Sequence, residues 1–71
     1  MEKFKLREGE AFIELNKLLK NVGWAGTGGE AKLTITDGDI KVNDQVETQI
    51  RKKLRTGDEV IMGDDKIIIE A

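Results

Sequence analysis

The sequence of 71 residues contains no cysteine, no histidine and no tyrosine. Without cysteine, the fold can use neither disulfide bonds nor thiolate metal ligands. Without histidine and tyrosine, general acid–base catalysis would fall to Asp, Glu or Lys, and a threonine nucleophile would lack a histidine base to activate it. The sequence therefore predicts a non-enzymatic protein that uses no cofactor and no metal ion.

Long apolar runs are also absent. No uninterrupted apolar stretch is longer than the three isoleucines at residues 67–69, whereas a membrane-spanning helix needs about 20 apolar residues. The first residues, from Met1 to Phe4, lack the apolar run of a signal peptide. We expect one domain over residues 1–71, a monomer that makes no membrane contact and is located in the cytoplasm.

Charges of both signs are present, but their distribution is uneven. The net formal charge is −2, which by itself argues against a nucleic-acid partner. Residues 48–57, however, contain no acid, and four cations lie among them: Arg51, Lys52, Lys53 and Arg55. This cluster is interpreted either as a solubilising loop or as a patch that binds a polyanion. Leu54 favours the patch, because a residue anchored in the core would fix the direction of its basic neighbours.

Two helices are predicted in the first half of the chain. Over residues 10–22 apolar side chains recur at helical spacing, and Gly23 follows as a C-cap. The apolar face of this helix would comprise Ala11, Leu15, Leu18, Leu19 and Val22. A second helix would begin at Thr27, which forms a capping box with Glu30, and Asp37-Gly38 would end it. The short link between the two helices predicts a helical hairpin.

Five other segments are predicted to be strands, the first three of them because apolar residues alternate with polar or charged ones. They cover residues 3–7, 40–42, 45–47, 59–62 and 66–70. Asn43-Asp44 is a turn signal between the second and the third of these strands. The expected fold class is therefore α+β, with a two-helix hairpin packed on a small, mainly antiparallel sheet.

The glycine-rich stretch at residues 26–31 matches G-x-G-x-x-A, a dinucleotide-binding fingerprint. That fingerprint requires a preceding strand and a long βαβ unit, and neither is predicted here. Two compatible interpretations stay open: the glycines form the turn between the helices, and the backbone amides near Gly28 bind a phosphate at the positive end of the second helix. Trp24, just before this stretch, either closes the hairpin or stacks on a base.

Residues 29–35, Gly-Glu-Ala-Lys-Leu-Thr-Ile, are soon followed by residues 38–43, Gly-Asp-Ile-Lys-Val-Asn. This succession resembles the αL RNA-binding motif of ribosomal protein S4, which has a small residue and an alanine on a helix, an aliphatic residue, a glycine, and a strand ending in Val-Asn. Gly57-Asp58 resembles the opening of that family's closing strand. The likeness covers about residues 12–69 and is closer to small stand-alone bacterial members, similar to the YbcJ-like and YaaA-like proteins.

The resemblance implies binding of structured RNA, ribosomal or transfer RNA, and through such RNA an association with the ribosome in translation. It assigns the contact to the two helices and the adjoining strand. The candidate RNA ligands at motif positions, or in the segment that is usually basic, are Lys20, Thr27, Gly28, Lys32, Lys41, Asn43, Arg51, Lys52 and Lys53. Many members carry an arginine early in the second helix, where Gly28 and Gly29 stand here, so more of the binding is expected from the lysines and the Arg51 region.

The alternative hypothesis is a protein-interaction module that docks on a ribosomal or regulatory protein without touching RNA. The basic alternation of Lys3, Lys5 and Arg7, together with the acids of the carboxyl-terminal half, would serve such docking. Salt-graded binding to ribosomal RNA separates the two hypotheses, because a docking module would show no RNA affinity at low salt.

Overall fold

A computed structural model describes residues 2–71 of the chain. Its helices and strands, in chain order, are β1 Glu2–Lys5, β2 Ile13–Glu14, α1 Leu15–Asn21, α2 Gly28–Thr36, β3 Ile40–Val42, β4 Gln45–Val46, β5 Lys53–Leu54, β6 Glu59–Met62 and β7 Asp65–Glu70. Five strands form the main sheet in the order β1-β7-β6-β3-β4, and β2 pairs with β5 in a separate two-stranded ribbon, the β2–β5 ribbon. The α+β class expected from the sequence is confirmed.

The main sheet is mainly antiparallel, as expected. β3 pairs antiparallel with both β4 and β6, and β6 pairs antiparallel with β7, whereas β1 runs parallel to β7 with Phe4 in register with Ile69. Side chains alternate between the two faces of the sheet. Ile40 and Val42 are buried while Lys41 between them is exposed, which defines an inner face toward the core and an outer face toward solvent.

The hydrophobic core lies between the inner face of the sheet and the two helices. Its buried residues come from both layers and from the ribbon: Leu6, Ile13, Leu15, Leu18, Leu19, Ala25, Ala31, Ile35, Ile40, Val42, Leu54, Val60, Ile67 and Ile69. No polar or charged residue among those described is buried. Trp24 is half-buried and packs against this core, a position that fits the hairpin-closing interpretation.

Helix α1 begins at Leu15, five residues later than the apolar periodicity predicts. The residues before it form β2 instead, with Ile13 in register with Leu54 of β5. Ala11, expected on the apolar face of the helix, is exposed. The periodicity was misleading because pairing with a segment far along the chain stabilises an extended backbone at Ile13 and so delays the start of the helix.

Helix α2 forms as the sequence predicts. Thr27 is the N-cap, and its Oγ1 accepts a hydrogen bond from the Glu30 amide at 3.1 Å. The Glu30 carboxylate accepts a hydrogen bond from the amide of Gly26, one residue before the cap, at 2.9 Å. Ala31 and Ile35 bury the apolar face. Local side chains therefore satisfy amides that have no partner within the helix.

Turns with left-handed backbone lie where the sequence places them. Gly23 follows α1 with φ of +80°, and Gly38 follows α2 with φ of +81°. Between β3 and β4, Asn43 and Asp44 have φ of 51° and 68°. Asn and Asp tolerate this region better than other residues with a Cβ, and two successive positive φ values suit a tight hairpin turn.

Candidate functional site

The basic segment of residues 51–53, here called the basic turn, is attached to the amino end of α1. The Leu15 amide donates a hydrogen bond to the Lys52 carbonyl at 2.9 Å, and the Asn16 amide donates to the Ile50 carbonyl at 3.0 Å. These two bonds satisfy amides at the start of a helix that has no side-chain cap. The first turn of α1 is therefore built partly from a segment about 35 residues further along the chain.

Leu54 anchors the basic turn as the sequence predicts. Its side chain is fully buried in the core, whereas Arg51 and Lys53 are exposed and Lys52 is half-buried. Because the backbone on both sides is bonded to β2 and α1, the basic side chains project from a held segment.

Lys20 lies in the last turn of α1 and is exposed. It stands four residues after Asn16, so the two share one side of the helix and are separated by about 6 Å along its axis. The Asn16 amide contacts the Ile50 carbonyl next to Arg51, so the basic turn lies at the amino end of this seven-residue helix and Lys20 lies in its last turn.

The start of α2 presents a different environment. Gly28 and Gly29 are exposed, and an added Cβ at Gly28 would meet no atom within 4 Å. The Glu30 carboxylate lies in the first turn, where it lowers the local positive potential that a phosphate would require. Lys32 is exposed one helical turn beyond Gly28, on the same side of α2.

Lys41 and Asn43 lie apart from the other predicted ligands. Lys41 is on the outer face of the sheet, so the sheet and its core separate it from Lys20 and Lys32. The side-chain amide of Asn43 donates to Asp58 Oδ1 at 3.1 Å, and its Oδ1 accepts from the Glu59 amide at 3.0 Å. These bonds tie the β3–β4 turn to the start of β6.

The cations of the chain differ in whether an acidic side chain pairs with them, and Lys17 of α1 does pair with Glu14 at 3.6 Å. On the sheet, Lys3 and Lys66 form ion pairs with Glu70 and Glu59 at 3.8 and 3.1 Å. Within residues 2–71, no ion pair involves Lys20, Lys32 or the residues of the basic turn. Their charge is therefore available to a polyanion, although the net charge of the chain is negative.

Phe12 and Arg55 lie beside the basic turn; the sequence placed Arg55 in the basic cluster but not among the candidate ligands, and it placed Phe12 in neither. Lys53 Nζ lies 5.0 Å from the centroid of the Phe12 ring, and Arg55 Cζ lies 6.0 Å from it. Phe12 precedes the two-residue strand β2 and Arg55 follows the two-residue strand β5. Strands this short leave no periodic signal, so their pairing could not be found from the sequence.

Other kinds of site find little support in the described part of the chain. Among residues 2–71, no group of three or more acidic side chains is placed to hold a metal ion. Nor does this part of the chain include a helix that is both long and apolar enough to cross a membrane. The arrangement best suited to binding is thus the unpaired positive charge of Lys20, Lys32 and the basic turn.

Comparisons with known proteins agree with this fold and with its extent. A sequence model of the family described as S4 domain matches residues 4–70, which reach into every helix and strand. YbcJ of Escherichia coli (strain K12) is 44% identical over 48 residues, which cover 68% of this chain and 69% of YbcJ. YbcJ of Shigella flexneri matches with the same identity and coverage.

The solution structure of YbcJ from E. coli superposes on this chain with a TM-score of 0.75 and 35% sequence identity. The superposition covers 100% of this chain and 89% of that one. The YbcJ structure is described as revealing an αL motif involved in RNA binding. The two-helix arrangement expected from the sequence therefore has a solved counterpart.

Proposed function

Because the chain belongs to the S4 domain family, we propose that it binds structured RNA and does so without catalysing a reaction. The attachment of the basic turn to the first turn of α1 is the observation that supports a defined binding surface. A chain without histidine, cysteine or tyrosine has little chemistry to offer beyond binding. The role proposed for the surface is to follow the phosphate backbone of a folded RNA.

The proposed surface comprises Lys20, Lys32 and the basic turn, whose side chains would contact phosphates. Thr27, the N-cap of α2, and Gly28, its first residue, would add a hydroxyl and a backbone amide to the contact. Lys41 and Asn43 would join only where the RNA reaches past the helices to the edge of the sheet. The Asn43 side chain already bonds Asp58 and the Glu59 amide, so an RNA contact would compete with these bonds.

Ribosomal or transfer RNA is the proposed class of target, with a role in translation in the cytoplasm and a monomer as the active form. A-form helices offer proteins mainly their backbone and shape, and base reading is largely confined to loops and bulges. A surface of lysines and arginines with few aromatic side chains suits that kind of target. If Lys20, Lys32 and the three cations of the basic turn neutralise about five phosphates, affinity falls with salt at a log–log slope of roughly −3.5 to −4.5.

The test is salt-graded filter binding to a ribosomal RNA fragment, with the wild type and the double variant Lys32→Glu with Lys53→Glu. The variant is expected to lose RNA retention and keep the unfolding midpoint, because both side chains are exposed and neither forms an ion pair among residues 2–71. Its matched control is Lys5→Glu with Arg7→Glu at the end of β1, two exposed cations that form no ion pair among residues 2–71. This control changes the net charge equally but lies outside the proposed surface.

Equal loss of binding in both double variants would show that total charge, and not this surface, governs the affinity. Retention by the Lys32→Glu with Lys53→Glu variant would contradict the proposed surface. A wild type without RNA affinity at low salt would contradict the function itself and favour docking on a protein.

A further inference from the structure

Phe12 is the one aromatic residue of this chain for which the core provides no explanation. The sequence has two phenylalanines and one tryptophan. Phe4 and Trp24 pack against the hydrophobic core, and within residues 2–71 Phe12 is not among the partly buried side chains that do so. Phe12 is half-buried, so part of its side chain is accessible at the surface. A large apolar side chain left outside the core of a small domain calls for another role.

The β2–β5 ribbon explains how cations gather around this ring. Ile13 is in register with Leu54, and both are buried. Continuing the antiparallel register places Phe12 opposite Arg55, on the ribbon face away from the core, with Lys53 as its diagonal neighbour. The observed distances from the ring centroid agree: 5.0 Å to Lys53 Nζ and 6.0 Å to Arg55 Cζ.

The surface beside Phe12 is recessed and its acids are engaged. An open depression of about 500 Å³ is lined by residues 9–14 and Lys17. Of the two carboxylates that border it, Glu10 accepts a hydrogen bond from the Arg7 amide at 2.9 Å, and Glu14 forms an ion pair with Lys17 at 3.6 Å. The repulsion that these acids would exert on a nearby phosphate is therefore reduced.

We propose that Phe12 is a stacking site for a single unpaired nucleobase, with Lys53 and Arg55 binding the phosphates on either side of it. This inference rests on the proposed RNA-binding function and adds to it a preference for a bulged or looped nucleotide. Stacking of a base on an aromatic ring is stronger than an exposed cation–π contact. The base can therefore replace the Lys53 ammonium over the ring, and the ammonium turns to a phosphate.

The proposed stacking site at Phe12 adjoins the basic turn. Lys53 belongs to both the stacking site and the basic turn, so a strand of RNA that crosses the basic turn would reach Phe12 next. A single aromatic platform accepts one base and would not read a sequence. The rest of the RNA would still be recognised through its backbone.

The experiment uses two RNA hairpins with the same stem, one fully paired and one with a single bulged 2-aminopurine. The wild-type protein should bind the bulged hairpin roughly fivefold to tenfold more tightly, and stacking should quench the fluorescence of the probe. Phe12→Leu should remove both the preference and the quenching while leaving the affinity for the paired hairpin unchanged. Phe12→Tyr keeps the ring and should retain both.

The outcomes separate this inference from the function on which it rests. If Phe12→Leu weakened both hairpins equally, Phe12 would only hold Lys53 and Arg55 in place, and the stacking site would be refuted while RNA binding stood. A preference or quenching that persisted in Phe12→Leu would also refute it. If the wild type bound neither hairpin at low salt, the RNA-binding function would fail as well. Thermal unfolding of each variant checks that the fold is kept.

Discussion

The two helices of the hairpin begin in different ways. Helix α2 is capped by residues at its own start. The Thr27 hydroxyl accepts a hydrogen bond from the Glu30 amide, and the Glu30 carboxylate accepts one from the Gly26 amide. Helix α1 has no side-chain cap, and two of its first amides bond instead to carbonyls of residues 50–52. The start of α2 carries the Glu30 carboxylate, which forms no ion pair among residues 2–71. The N-cap of α1 is Glu14, but this carboxylate pairs with Lys17, and the helix start adjoins the three cations of the basic turn. The start that depends on a distant segment is therefore also the better site for a polyanion.

The largest effect is expected when Leu54, the anchor of the basic turn at the start of α1, is shortened. Leu54→Ala deletes a fully buried side chain, and buried Leu→Ala changes cost about 2–5 kcal/mol of the free energy of unfolding. The free energy of unfolding of a folded domain is only about 0.05–0.15 kcal/mol per residue. The expected loss is therefore a large share of the stability of this protein. Urea denaturation should show a much lower midpoint, and RNA affinity should fall because the basic turn loses its support.

Leu33→Ala is the matched control for this change. Leu33 lies on α2 and its residue is 63% exposed, so the same deletion should alter stability by no more than about 0.5 kcal/mol. If Leu33→Ala and Leu54→Ala destabilised the protein equally, Leu54 would not be the anchor described here.

A smaller effect is expected when the local cap of α2 is removed. Thr27→Ala deletes the hydroxyl that accepts from the Glu30 amide, and loss of such an N-cap costs about 1 kcal/mol. Thr36→Ala at the other end of α2 is the control, because the Thr36 hydroxyl bonds only to carbonyls of its own helix. Thermal unfolding should show a lower midpoint for the first variant alone. Equal midpoints for both would mean that Glu30 and the backbone suffice to start the helix.

The same contrast explains which parts of the fold could be predicted from the sequence. The cap at Thr27 and the turn at Asn43-Asp44 follow from the chemistry of adjacent residues, and both were predicted correctly. The start of α1 was predicted five residues too early. Its position depends on the pairing of Ile13 with Leu54, and no local pattern reports a pairing between segments 41 residues apart. The parallel partnership of β1 with β7 was hidden for the same reason.

For the candidate site, the sequence identified the cations but not their arrangement. The run of cations without acids predicted the basic turn, and the apolar Leu54 beside it correctly predicted an anchor in the core. The expectation that Lys41 would share a surface with Lys20 required knowledge of which face the helices cover. The sequence named Arg55 in the basic cluster but not among the candidate ligands, and it did not point to Phe12, because their proximity arises only from the register of the β2–β5 ribbon. The sequence shows which side chains are charged or aromatic, but the pairing of distant segments decides which of them lie on the same surface.

The smallest expected effect comes from making the start of α2 resemble that of α1. Gly28→Arg adds a cation at a position where a Cβ meets no atom within 4 Å, so the fold should accept the new side chain. Removing glycine from the helix should raise the free energy of unfolding by no more than about 1 kcal/mol. One added phosphate contact should steepen the log–log salt slope of RNA binding by about 0.7–0.9 and raise affinity at low salt. Gly28→Gln, which has similar helix propensity and no charge, separates the contribution of charge from that of helix stability. If the salt slopes of the two variants were the same, the start of α2 would lie outside the RNA contact, and α1 with the basic turn would carry the binding alone.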